Sequence, residues 1–317
     1  MRGGLLMSRA TTDDGVLTGV QWPTLAALAW AGLTLTGPAT AADIPVKVPV
    51  YKAQVAATHD WSGFYLGAQG GYGWRDPSID FSGNAAAETA FFQSGALARS
   101  VAVDPRGWLG GIEAGYNQQF ARWVLGVEAD FAWADISDAG TATTGVGVNP
   151  LLPGVCISGV SCTTDTFQFA SNGRQRLDRF GTVRARGGVA VTDRLLLFAT
   201  GGLAYGDATL DAGVANTSGV QVTTLNGIIT AGPFALPPCT SVCAAGSASQ
   251  WLLGWTIGGG FEYALDRHWS IKTDYLFYDL GRLSVAFADP KFPTFAFSAS
   301  APFAGHIARV GVNFKFN

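Results

Sequence analysis

Charge is scarce in this sequence: Asp, Glu, Lys and Arg make up 14% of its 317 residues, against roughly 25% in an ordinary soluble domain. The two signs nearly cancel, leaving a net charge of −3. That removes the basic surplus on which nucleic-acid binding depends. Methionine is confined to Met1 and Met7, and histidine to His59, His268 and His306. Long apolar runs are missing too. Residues 60–317 hold no uninterrupted stretch of the roughly 18–20 apolar residues that a spanning helix needs. Yet the chain is greasy: 48% hydrophobic, with 42 Gly, 20 Phe and 10 Trp. Lipid tolerates only helices and closed barrels, because no water is there to satisfy backbone groups. With spanning helices excluded, a closed barrel remains.

The N-terminus reads as an address. Residues 23–36 (PTLAALAWAGLTLT) form a short apolar run, followed by Ala39-Thr40-Ala41, an A-x-A cleavage site. The expectation is a signal peptide over residues 1–41. Pro45 and Pro49 then make residues 42–60 an extended periplasmic lead-in. The barrel is expected over 61–317.

Beyond residue 60 the pattern has period two, as half-buried strands require. The expected strands are 62–74, 107–120, 122–136, 179–191, 194–206, 253–265, 268–279 and 306–316. In the third, Trp123, Leu125, Val127, Ala129, Phe131 and Trp133 alternate with Gly126, Glu128, Asp130 and Ala132. Short connections near Ala121, Thr192-Asp193 and Asp266-Arg267 alternate with long ones at about 75–106, 137–178, 207–252 and 280–305. Outer-membrane barrels keep short turns in the periplasm and long loops outside. Aromatics gather near strand ends, at Trp74, Trp108, Trp123, Trp133, Trp251, Trp269 and Tyr278, as interfacial girdles do. The fold class is therefore all-β: an eight-stranded antiparallel up-and-down transmembrane β-barrel with four long extracellular loops.

The strand phases turn Glu113, Glu128, Asp130, Glu262 and Asp274 inward, together with Arg184, Arg186, Lys272, Arg309 and Lys315. Eight strands enclose a space that side chains just fill, and isolated buried charges cost several kcal/mol each. The expectation is a lumen plugged by a salt-bridge network, with a narrow or gated ion path as the alternative. Gly67, Gly71, Gly111, Gly126, Gly258 and Gly260 share the inner face and make room for the long charged chains. Cys156 and Cys162 fall in the second long loop, Cys239 and Cys243 in the third. An even count in an exported chain reads as disulfides. Local pairing within each loop is simplest, although four cysteines allow three connectivities. Neither loop offers a histidine for a metal site.

Catalysis finds little support. His268-Trp269-Ser270 places a His and a Ser on one face, but Trp269 takes the lipid side and the pair adjoins a periplasmic turn. His306 reads as a solvated rim residue, and His59 as one without a partner. No catalytic, cofactor or metal residue is assigned. The tracts Leu283–Phe287 and Thr294–Ser298 still alternate, so the last two strands are expected to run on beyond the membrane as a hairpin, an edge that strand addition could use.

The segments DIPVKVPVYKA, DWSGFYLGAQGGYGW, GGIEAGYNQQF, VLGVEADFAW, DRFGTVRARGGVAVTDRLLLFATGGLAYG, WTIGGGFEYALDRHWSIKTDYLFYDLG and HIARVGVNFKF resemble the porin-like outer membrane immunogenic proteins of alphaproteobacteria, in the OmpA-like barrel group. The resemblance covers the lead-in and all eight strands but not the loops. It implies an abundant surface antigen that supports envelope integrity, without assigned catalysis. A small porin-like channel, or an adhesin acting through the loops, is the alternative. The partners implied are outer-membrane lipid and lipopolysaccharide, the barrel-assembly machinery and a host or surface ligand at the loops, with no nucleic acid. The family usually ends on an aromatic residue, the signal read by that machinery; here Asn317 follows Phe316.

Overall fold

The computed structural model describes residues 59–144, 147–148, 155–157, 161–225, 228–236, 243–290 and 293–316, all within one compact unit, Gln54–Asn317. The expected signal peptide and nearly all of the expected lead-in lie outside the described residues. Among the described residues are thirteen strands and one helix. They run β1 (Gly63–Trp74), β2 (Ser78–Gly83), α1 (Ala86–Gln93), β3 (Ser100–Ala102), β4 (Arg106–Phe120), β5 (Trp123–Thr143), β6 (Gly147–Val148) and β7 (Val155–Ile157). Then come β8 (Ser161–Ala190), β9 (Leu195–Leu225), β10 (Ile228–Leu236), β11 (Ala244–Ala264), β12 (Trp269–Ala288) and β13 (Ala296–Lys315).

Eight of these close a ring. Around it stand β1, β4, β5, β8, β9, β11, β12 and β13, each antiparallel to its neighbours. The last strand returns to the first, with Tyr65 opposite Lys315 and Trp74 opposite His306. Closure leaves no bare edge within this part of the sheet, which is what hydrocarbon demands. Each of the eight expected strands falls on one of these. At one end the connections are tight: Ala121-Arg122, residues 191–194 and residues 265–268. Ala121 turns the first of them with φ 56°.

At this end of the ring the outer face carries Phe64, Leu66, Ile112, Leu125, Val127, Val183, Leu253 and Val310, all exposed. Water would not wet such a belt, but lipid would. Trp108, Trp123 and Trp133 border it, each more than 60% exposed.

At the other end six of the strands run far past the 9–11 residues that cross a membrane. The sequence leads one to expect this of β12 and β13 only. Above the apolar belt the binary pattern inverts. On β12 the outer residues Tyr275 and Phe277 give way to Arg282 and Ser284, while the inner face changes from Lys272 and Asp274 to Leu283, Val285 and Phe287. On β9, Ala208, Leu210, Ala212 and Val214 point inward and Asp207 and Asp211 outward. Bulges mark the changeover, between Trp133 and Ile136, Leu177 and Arg179, and Asp279 and Arg282. A bulge bends and twists its strand, here where lipid gives way to water.

The first long connection, residues 75–105, completes this upper storey. β1 and β4 stop at the belt, and β2 takes β1's place beside β13, with Phe297 opposite Gly83 and Ser300 opposite Asp80. β3 pairs with β2. Ile79, Phe81, Phe91, Phe92, Leu97 and Val101 pack inward against Leu177, Phe180, Leu210, Phe297 and Phe303. Glu88 of α1 ties the connection down, accepting from the backbone N–H of Ala85 (3.1 Å) and of Ala296 (3.3 Å).

Candidate functional site

Five carboxylates and four cations are buried inside the lipid-level ring: Glu113, Glu128, Asp130, Glu262 and Asp274 with Arg184, Arg186, Lys272 and Arg309. They come from β4, β5, β8, β11, β12 and β13, and the inward phase of each strand fixes which side chains meet. Lys272 Nζ lies 2.9 Å from Glu128 Oε1 and also pairs with Glu113. Arg184 reaches three acids: Glu128, Asp130 at 3.0 Å and Asp274 at 3.2 Å. Arg309 spans Asp130 at 3.2 Å and Asp274 at 2.5 Å. Arg186 pairs with Glu262, lies 3.8 Å from Glu128 and sits 3.8 Å above the Phe198 ring. Each charge thus has at least one opposite partner, the condition for keeping ions out of water.

Neutral groups finish the network. Tyr65 donates to Glu128 Oε2 at 2.6 Å and Thr182 to Asp130 Oδ2 at 2.5 Å. Ser270 donates to Glu262, as does Asn313 at 3.1 Å. With its amide nitrogen turned toward Glu113, Gln69 donates to Glu113 Oε2 (3.0 Å) and accepts from Arg309 Nη1 (3.1 Å). Tyr65 is missing from the inward residues that the sequence points to, although it shares its phase with Gly67 and Gln69. At Gly71 a Cβ would stand 2.8 Å from Arg309 Cγ, so a larger residue there would push that guanidinium aside.

Below the network the lumen is stopped by Trp61, buried against Val124, Leu196, Phe198 and Ala264. Its backbone N–H donates to Gln119 Oε1 at 2.8 Å. Above the network the apolar core of the upper storey begins at Leu276 and Ile307. At that boundary sits Arg75, 2% exposed, its guanidinium 4.5 Å above the Phe303 ring. None of its side-chain nitrogens has a hydrogen-bond partner among the described residues, and neither has the nearby buried Tyr278 hydroxyl.

Several expectations need correction. Lys315 stands apart from the network. It occupies the inner phase, but at the last rung of the ring, where the wall opens; its Nζ donates to the Asp60 carbonyl and it lines a recess with Asp193 and Asp266. Tyr278 is fully buried rather than part of a girdle, because its phase on β12 is the inner one. His59 has partners: its ring meets Trp61 edge-on at 4.5 Å and its N–H reaches the Asp193 carbonyl at 3.3 Å. His306 is held rather than free, with Nδ1 2.6 Å from the Tyr275 hydroxyl and Trp74 stacked on its ring at 5.8 Å. The Ser270 hydroxyl is committed to Glu262 inside the lumen, while His268 stacks on Phe314 at 5.7 Å. Among the cysteines, the backbones of Cys156 and Cys162 lie directly opposite each other on β7 and β8. Cys239 lies outside the described residues, and no free cysteine occurs among the described ones.

A closed antiparallel ring with an apolar outer belt and a charged, filled interior defines an outer-membrane β-barrel protein. The chain belongs to the outer membrane protein beta-barrel domain family, whose match runs over residues 48–303. It is similar to the 31 kDa outer-membrane immunogenic proteins of Brucella melitensis and Brucella suis. Identity is 30% over 285 residues, covering 88% of this chain and 93% of each relative. The 25 kDa outer-membrane immunogenic protein of Brucella abortus is also 30% identical, over 122 residues that cover 34% of this chain and 47% of that protein. Among solved structures, the outer membrane protein OprG of Pseudomonas aeruginosa overlaps 82% of this chain and 99% of its own, at 12% identity and a TM-score of 0.42. Family and relatives together place the chain in the outer membrane.

Proposed function

We propose that the mature chain is a structural, surface-exposed barrel that supports the envelope and passes no solutes. The filled lumen carries this reading: nine buried charges, each with an opposite partner, occupy it between Trp61 below and an apolar core above. A hydrated solute would have to part these pairs, and removing one partner of a buried pair costs about 3–5 kcal/mol. Single-channel recording on refolded protein in planar bilayers is the test. A silent trace is expected; large steady openings would replace this reading with a small porin-like channel.

Strand length favours a second role, in ligand or host-surface binding. β8 and β9 have 30 and 31 residues, far beyond the roughly 9–11 that lipid requires, so much of each stands in water. Loop-deletion variants assayed for adhesion would show unchanged binding if the chain is purely structural. No catalytic role is proposed.

Export through a signal peptide cleaved after Ala41, with insertion by the barrel-assembly machinery among lipid and lipopolysaccharide, belongs to the same proposal. Mass spectrometry of the mature N-terminus tests the cleavage. Two local disulfides, Cys156 with Cys162 and Cys239 with Cys243, complete it. Directly opposed residues on antiparallel strands have Cα atoms roughly 4.5–5.5 Å apart, within disulfide range. Four free thiols on titration of native protein would refute the bridges.

A further inference from the structure

Five carboxylates face four cations inside the lipid-level ring, so one negative charge is in excess. Arg75 does not answer it, since its guanidinium faces the Phe303 ring and hydrogen-bonds to no described residue. Two carboxylate oxygens of the network are also buried without a hydrogen-bond partner among the described residues, Glu113 Oε1 and Asp130 Oδ1. Glu113 and Asp130 stand directly opposite each other on β4 and β5, 1% and 4% exposed. We propose that the lumen is a proton-binding site, with one proton on Glu113 Oε1 that is donated to Asp130 Oδ1. The inference stands whether or not the barrel conducts.

Distance allows it. Directly opposed residues on adjacent strands have Cβ atoms roughly 4.5–5.5 Å apart, within reach of two carboxyl groups. Two carboxylates sharing a buried site cannot both stay ionised. One proton removes the repulsion and satisfies both unpartnered oxygens. The donors decide which carboxyl holds it. Asp130 Oδ2 accepts from Thr182 (2.5 Å) and Arg184 (3.0 Å) and lies 3.2 Å from Arg309 Nη1, contacts that favour the charged form. Glu113 Oε2 has Lys272, which is shared with both oxygens of Glu128 at 2.9 Å. It also has the neutral amide of Gln69 (3.0 Å), whose oxygen in turn accepts from Arg309 (3.1 Å). Glu113 is therefore the less supported anion. A metal ion fits less well. Calcium takes roughly 6–8 oxygen ligands. Only two carboxylate oxygens here are unpartnered, and no cluster of three metal-ligating groups occurs among the described residues. Closing the barrel thus takes one proton from water onto Glu113 and leaves the network neutral.

Infrared spectroscopy of the refolded mature chain at neutral pH, in a detergent without ester groups, is the test. Solvent-facing carboxyl groups are ionised there, so the C=O stretch of a protonated carboxylic acid is expected from the lumen alone. Glu113→Gln should abolish the band. It should leave the urea midpoint near the parent's, because an amide donates to Asp130 as the protonated acid does. Asp130→Asn should abolish the band too, since four carboxylates then face four cations. It should also lower the midpoint, by taking a partner from Arg184 and from Arg309. Each variant serves alone if the other fails to refold by heat-modifiable migration. A parent without the band would overturn the proposal, and so would a band that survives in either variant. A parent that lacks the band and gains stability in sodium chloride over choline chloride would assign the excess charge to a bound alkali ion instead.

Discussion

The Tyr65 hydroxyl donates to Glu128 Oε2 at 2.6 Å by lying across Gly115 on the strand between them. A Cβ at Gly115 would stand 2.7 Å from Tyr65 Cε1, so one contact depends on three adjacent strands. Tyr65→Phe keeps the ring and removes the donor. Hydrogen bonds to charged groups contribute about 1.5–3 kcal/mol, and the unfolding free energy from urea titration of refolded protein should fall by that amount. Glu128→Ala also takes one ion-pair partner from Lys272 and from Arg184 and should cost about 3–5 kcal/mol. Equal losses for the two variants would mean that the ion pairs around Glu128 contribute little.

Arg75→Met should stabilise the barrel. The guanidinium is buried without a hydrogen-bond acceptor among the described residues, with the Phe303 ring as its electrostatic partner. Replacing buried charges by apolar side chains of similar volume commonly gains about 1–4 kcal/mol, and a cation–π contact offsets only about 0.5–2 of that. The temperature at which the folded gel band converts to the unfolded one should rise. A drop would mean that an anion or water within the barrel already satisfies Arg75.

The periplasmic turn at Asp266 carries a pH signature. The backbone N–H groups of Trp269 and then His268 donate to its carboxylate at 2.8 and 2.7 Å and hold its pKa below the ordinary value. A depressed folded-state pKa contributes stability that is complete above the unfolded value of about 3.9 and is lost as pH falls through the folded one. Asp266→Ala should therefore lower the urea midpoint at pH 7, and the gap to the parent should close below about pH 4. A gap that persists in acid would assign the effect to backbone geometry instead.

Gly281→Val should loosen the upper storey while sparing the lipid-level ring. Gly281 sits in the bulge of β12 at φ 86°, a region that costs other L-residues about 1–2 kcal/mol and β-branched ones most. Protease added to intact cells should then cut near residues 280–305, while the membrane-embedded remainder stays heat-modifiable. Resistance equal to the parent would mean that β13 alone holds the hairpin.

The lipid-level ring was legible because its rule is uniform: greasy outside, charged or small inside, on every second residue. The same rule extended back from Tyr65 would have reached Trp61, which shares its phase. It failed above the belt for a definite reason. There the outside meets water, so Asp207 and Asp211 can face out while Ala208 and Leu210 face in. A window straddling the changeover averages two opposite patterns and registers neither. The eight residues of α1, AAETAFFQ, are likewise too short to establish a helical period, and their placement depends on Glu88 reaching Ala296 far along the chain. Lys315 obeys the phase but not the depth, and depth is set by where the ring ends rather than by alternation.

The seam between β1 and β13 joins the beginning of the folded region to its very end. Until the final strand has been delivered, both flanks of the growing sheet stay open and ready to pair with a stranger. Such late, far-flung contacts also make for slow folding. Loss of β13 would leave β1 and β12 as two bare flanks, a sticky open sheet in place of a smaller cylinder.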